Sequence, residues 1–291
     1  MAGASDLTAL LDDAETGTSI PFNSGVDEFG VDWRMARLDG WDSPDLEEGA
    51  EPRSGADGLW DVENFFAGRT LTLAGTFAAP SYEEREAAEY RLRRAVPRNR
   101  LVSLRVNETT PRRVDCRRSG SLRVGPTSDV MGEFSIGLLA PDPRKYGVLE
   151  QAASISAGSG SGGLAPPWTP PVTLPAITTA PSQATLTNSG DYDSPPIITI
   201  RGPGDDISVV NYTTSKVLIF DLPLGATDYL VIDVAAGTTL LGGTSPRGPA
   251  PGSAVVAEFF MAPGDNLLRI FGTLTAASPP SAQISFYSAW T

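Results

Sequence analysis

One cysteine, Cys116, stands among Arg112, Arg113, Arg117 and Arg118. Such a cationic neighbourhood lowers a thiol pKa and makes it reactive; the plainer reading, preferred here, is a strand cysteine of no special role. The chain has no histidine, which removes the commonest general base and metal ligand and with it any Ser-His or Cys-His hydrolase. Asp191 and Asp193 with Asn188, and the pair Asp205 and Asp206, offer oxygen ligands. Neither group has the spacing of a calcium loop, and turn chemistry accounts for both. Gly158, Gly160 and Gly163 match G-x-G-x-x-G in form only, since no strand precedes them and no helix follows, so they read as a connection rather than a nucleotide cradle. Walker, H-E-x-x-H and Cys-x-x-Cys sequences are missing. The expectation is a protein without metal or cofactor that is not an enzyme. Tyr192, Tyr212 and Tyr287, with Phe286, are the aromatic candidates for stacking on a sugar.

The elements that must position these residues are strands, with one exception. In RTLTLAGTFAAPSYEEREAAEYRLRRAV (69–96), Leu71, Leu73, Gly75 and Phe77 alternate with threonine and alanine, the period of a strand with one buried face. Pro80 closes it. Ser81 with Glu84 three residues on forms a capping box, and Ala88, Leu92 and Ala95 share one side of a helix over 81–96, which Pro97 stops. Glu89 precedes Arg93 by four residues, and acids lead while arginines trail, as the helix dipole favours.

Thirty glycines and 25 prolines in 291 residues favour a mainly β protein of about two domains. Residues 1–25 are polar and loosely patterned and read as an arm or edge strand. Val31, Trp33 and Met35 mark a half-buried strand. Residues 39–58 have no period and read as a long surface loop, with Trp41 and Trp60 as packing anchors at its ends. Short strands separated by turn residues follow over 101–147, the spacing of a sandwich. These give an N-terminal β-sandwich with one helix over 1–150, a Gly/Ser- and Pro-rich connection over 151–183 anchored by Trp168, and a C-terminal jelly-roll-like β-sandwich over 184–291.

Charge is segregated. Residues 1–66 hold 16 acids and 3 bases, 67–147 hold 9 and 15, and 148–291 hold 10 and 4, within a net charge of −13. Opposed blocks can meet across neighbouring copies and set their register. The expected subunit-interface residues are Glu47, Glu48, Glu51, Asp57, Asp61 and Glu63 against Arg93 and Arg94. The basic block lacks aromatic interleaving and is not read as a nucleic-acid site. No apolar run suits a membrane helix, and the N-terminus does not read as a secretory signal.

Several pieces in one order resemble the distal tail proteins of long-tailed phages with non-contractile tails (Dit-type, the siphovirus tail component or minor tail protein family). They are G-R-T-L-T-L-A-G-T-F (68–77) before the helix, A-P-D-P-R-K-Y-G (140–147), Gly-Leu-x-Pro (163–166), N-S-G (188–190), P-P-I-I-T-I-R-G (195–202), D-Y-L-V-I-D (228–233), A-P-G-D-N (262–266) and S-A-W (288–290). The motif positions carried by the resemblance are Arg69, Gly75, Asp142, Pro143, Tyr146, Asn188, Gly190, Asp233, Pro263, Gly264 and Trp290. It implies a virion protein assembled in the bacterial cytoplasm. The first domain would form a homohexameric ring between the tail tube protein and the tail-tip or baseplate hub protein, while the second, galectin-like domain would project outward to hold receptor-binding or other minor tail proteins. The alternative from the residues alone is a carbohydrate-binding tail adhesin contacting cell-wall glycan.

Overall fold

The computed structural model describes residues 7–157, 182–273 and 279–291; the glycines at 158, 160 and 163, the element at 163–166 and Trp168 lie outside the described residues. The chain divides into two compact units, Met1–Val148 with Thr291, and Leu149–Trp290.

The first unit contains β1 (Thr8–Asp13), β2 (Thr18–Phe22), β3 (Asp32–Asp39), the short β4 (Leu46–Glu47) and β5 (Phe65–Phe66), β6 (Arg69–Ala78), α1 (Tyr82–Ala95), β7 (Val102–Asn107), β8 (Arg112–Arg118), β9 (Arg123–Pro126), β10 (Met131–Ala140) and the start of β11 (Lys145–Ser156). One antiparallel layer runs β2-β1-β7-β8, with Tyr146 and Gly147 of β11 added to β8. The other runs β3-β6-β10-β9. Strand alternation decides what lies between them: Leu71, Leu73 and Phe77 of β6 and Phe134, Ile136 and Leu138 of β10 point inward. Trp33 is fully buried at the centre, 4.9 Å from Phe77 and 6.3 Å from Phe22 between ring centroids. Its indole N–H donates to Asp27 at 2.9 Å, satisfying the polar end of the ring.

Helix α1 begins as its sequence dictates. Ser81 is the N-cap and its hydroxyl accepts from the Glu84 N–H at 3.2 Å. Ala88, Leu92 and Ala95 enter the core. Arg85 is buried with them, which a hydropathy pattern does not reveal; its charge is met by Glu89, which also bonds Arg93 at 3.3 Å.

Of the two readings for the N-terminal residues, arm or edge strand, the structure has the strand: β2 is the edge of its layer. β1 and β2 form a hairpin that sends Ala9, Leu11, Ile20 and Phe22 into the core, because TALLDD and TSIPF alternate over too few residues to stand out against their polar flanks. Trp41 is buried, as an anchor should be, but Trp60 is 59 % exposed and does not enter the core of its unit.

The second unit holds the rest of β11, then β12 (Gln183–Asn188), β13 (Ile197–Arg201), β14 (Asp205–Asn211), β15 (Lys216–Phe220), β16 (Tyr229–Asp233), β17 (Thr238–Leu241), β18 (Ser245–Pro246), a 3-10 turn (Val256–Glu258), β19 (Gly264–Thr273) and β20 (Ser281–Trp290). Its sheets run β18-β17-β16-β13-β20-β11 and β12-β19-β14-β15. Ile198, Ile200, Val209, Leu218, Ile232, Leu268 and Ile284 fill the space between them. Residues 151–156, expected in the connection, extend β11 instead: Ile155 is buried in this core although its flanks are serine and alanine. Among the described residues no helix is long and apolar enough to cross a membrane.

Candidate assembly surface

Between Trp41 and Arg69 the chain leaves the first unit's body and returns as an irregular antiparallel arm. β4 pairs with β5, Pro52 bridges Leu59, and the Trp60 N–H donates to the Glu51 carbonyl at 2.8 Å. Arg53 ties the tip, donating to the Leu59 carbonyl at 3.1 Å with its guanidinium 5.0 Å from the Trp60 ring centroid. Glu47, Glu48, Glu51, Asp57, Asp61 and Glu63 all lie on this arm, all exposed, and among the described residues none is in an ion pair. Leu46, Leu59, Val62 and Phe65 are exposed beside them, Phe65 by 63 %. A monomer gains nothing by holding such apolar groups in water, which makes the arm a candidate contact surface. The acids were legible in the sequence. The apolar component was not: Trp60 reads as a packing anchor, and nothing in the local pattern of Leu59 or Phe65 says that they stay exposed.

Arg93 and Arg94 are exposed on the last turn of α1. Arg93 is already engaged, bonding Glu89 and the Val124 carbonyl at 3.4 Å, while Arg94 is in no ion pair among the described residues.

The motif positions hold backbone. Arg69 is fully buried and donates to the carbonyls of Pro143, Gly40 and Trp41. Asp142 accepts from the Tyr146 hydroxyl at 2.6 Å and the Arg144 N–H at 3.1 Å; burial first, then the Asp142 charge, pushes the Tyr146 phenol up. Gly75 sits opposite the bulge of β3 between Met35 and Arg37. In the second unit, Asn188 uses its whole amide: it donates to Tyr192 and Met261 carbonyls and accepts from Gly190 and Ala289 N–H groups. It therefore has nothing left for a cation. A Cβ at Gly190 would lie 1.7 Å from the Ala289 carbonyl oxygen, so only glycine fits. Asp233 caps the Ala236 N–H at 2.9 Å. Pro263 and Gly264 turn the chain into β19, and Trp290 ends β20 half-buried.

Of the aromatic candidates, Tyr287 lies half-buried on β20 and Tyr192 beside it, its N–H bonded to Ala289 at 3.1 Å. Tyr212 is exposed at the end of β14, on the other sheet. Phe286 is buried, because the strand alternation that turns Tyr287 out turns its neighbour in. Asp205 and Asp206 are joined by Asp221, a third carboxylate that only the fold brings near; Asp205 first, and also Asp221, raise the pKa of Asp206 by repulsion. The Cys116 thiol is fully buried, and that burial pushes its pKa up to about 12, opposite to the activation its arginine neighbours suggested.

Two antiparallel sandwich units in tandem, the first with one capped helix and an exposed acidic arm, define the architecture. The chain matches no family model and no curated protein. Among solved structures it is similar to the Dit (gp 19.1) protein of phage SPP1, described as a paradigm of the hub adsorption apparatus in phages infecting Gram-positive bacteria. The TM-score is 0.63 at 15 % identity, over 98 % of this chain and 99 % of that one. A chain of the phage P2 baseplate, in its activated conformation with calcium, is similar over 96 % of this chain and 97 % of its own, with TM-score 0.51 and 9 % identity. The chain thus has the fold of a Dit-type phage tail protein.

Proposed function

We propose that this protein is a structural subunit of a phage tail, the distal hub whose first unit closes into a hexameric ring between the tail tube and the tail-tip protein. The observation that carries the reading is the arm, which displays exposed apolar side chains and carboxylates that form no ion pair among the described residues, while the body of the same unit carries the basic surface. Closed rings join two different faces of one subunit, and an acidic apolar arm with a basic body supplies two such faces. The fold likeness to tail hub and baseplate proteins supports the same role; in this proposal receptor-binding or minor tail proteins dock on the second unit. The role is structural rather than catalytic, and the place of the protein is the virion, after assembly in the host cytoplasm. Light-scattering mass with negative-stain class averages on the purified chain tests this. A ring with a central channel is expected; a monomer at every concentration, alone and with its tail-tip partner, would sink it.

A further inference from the structure

The arm is seated on two buried cations. Arg69 of β6 and Lys145 of β11 reach the turn Gly40–Asp42 from below. Arg69 Nη1 donates to the Gly40 and Trp41 carbonyls at 2.9 and 2.8 Å, and Lys145 Nζ to the Trp41 and Asp42 carbonyls at 3.1 and 3.2 Å. Arg69 is fully buried and Lys145 nearly so, yet the hydrogen-bond partners of both among the described residues are backbone carbonyls, never a carboxylate. The turn therefore supplies the Lys145 ammonium with two carbonyl acceptors, and the Trp41 ring centroid lies 5.7 Å from it. The turn is held elsewhere by the Trp41 indole N–H on Glu108 at 2.8 Å; at Gly40 a positive φ and a Cβ that would lie 1.9 Å from the Thr70 carbonyl oxygen leave no room for a side chain.

We propose that the Gly40–Asp42 turn is a proton-sensitive hinge for the arm, which lifts more readily when Lys145 is charged and seats more firmly when it is neutral. A charge buried without a counter-charge is costly, and lifting the turn returns it to water. Charged groups face Lys145 from several elements. Arg69 of β6 and Arg112 of β8 oppose its protonation, while Glu108 and Asp42 favour it. Burial first, and then the two arginines, lower its pKa from 10.5 to about 8. The seated form therefore binds fewer protons than the lifted one between those values, so raising the pH through that window favours seating, and lowering it favours lifting. The inference stands whether or not the subunits form a ring; in a ring it would make the arm's contact depend on pH.

Hydrogen exchange on the full chain tests it. The Ala67 N–H, bonded to the Asp45 carbonyl across the arm's root, reports the hinge, and the Leu73 N–H in the core reports global opening. With pulse labelling and correction for intrinsic rates, protection at Ala67 should fall roughly 30-fold from pH 9.5 to pH 6.5, while remaining below that of Leu73 throughout. Lys145→Met should abolish the pH dependence, and Lys145→Arg should leave protection low at every pH. Unchanged protection across the range in the unaltered chain, or the same pH dependence in Lys145→Met, overturns the proposal. Should either variant fail to fold, the titration of the unaltered chain decides.

Discussion

Trp60 is the sharpest test of the arm. Its side chain is 59 % exposed, its contact is the Arg53 guanidinium, and the arm's backbone closure at this point runs through the Trp60 N–H rather than the ring. Trp60→Ala therefore removes surface without cutting the hairpin. An indole side chain offers up to ~250 Å², so about 150 Å² is left for a neighbour to cover. At ~25 cal/mol per Å² that area is worth about 3–4 kcal/mol per contact, the size of an interface hot spot. The dissociation constant of the arm contact should rise by roughly a hundredfold or more. Sedimentation velocity over a concentration series measures this, with a thermal melt of the same sample as control. The melting temperature should move by less than about 2 °C, because no core contact is lost. Assembly at the same concentrations as the unaltered chain would refute the idea that the arm is the contact. A melting point lowered by several degrees would show instead that Trp60 belongs to the subunit's own fold.

Reversing both Arg93 and Arg94 to Glu should weaken assembly at low salt, and the difference should shrink as salt rises, since exposed charges are screened within ~8 Å at physiological ionic strength; the loss of the Glu89–Arg93 pair should cost the monomer only a few tenths of a kcal/mol. Unchanged assembly removes those arginines from the interface. Asn188→Ala strands two carbonyls and two N–H groups, and should destabilise the full chain by about 3–5 kcal/mol in a urea melt, beyond the cost of any one hydrogen bond. Cys116 should resist a soluble thiol reagent at pH 8 in the native chain and react at once in denaturant, because the thiolate form is suppressed by burial; fast native labelling would return it to the reactive class.

Much of the architecture was legible in the sequence. The alternation of Leu71, Leu73 and Phe77, the Ser81 cap and the Ala88–Leu92–Ala95 stripe depend on local backbone geometry, which residue type and spacing carry by themselves. For the same reason most turn-bounded strands of the second unit could be placed without coordinates, although AVVAEFFM (254–261), which reads as a strand, forms a 3-10 turn at Val256–Glu258, and the acids of residues 47–63 could be named as a surface group. What sequence could not supply was which side of the chain other segments occupy. Trp41 and Trp60 flank one stretch and are chemically identical, yet one is buried and the other stands in water, because β6 and β11 pass beneath the first and no described element passes beneath the second. Cys116 stands among arginines in the sequence, yet in the sheet the thiol is buried with Val114 while Arg117 and Arg118 stay exposed, so burial and not the arginines sets its behaviour. Arg69 and Lys145 lie 76 positions apart, and Asp221 lies 15 from Asp206. Their electrostatic coupling follows from strand pairing, and no local pattern records it. The residue types and their spacing determined the elements, the absence of histidine chemistry and the charge segregation; only the tertiary structure decided which charges are buried without counter-charges and which apolar side chains remain uncovered.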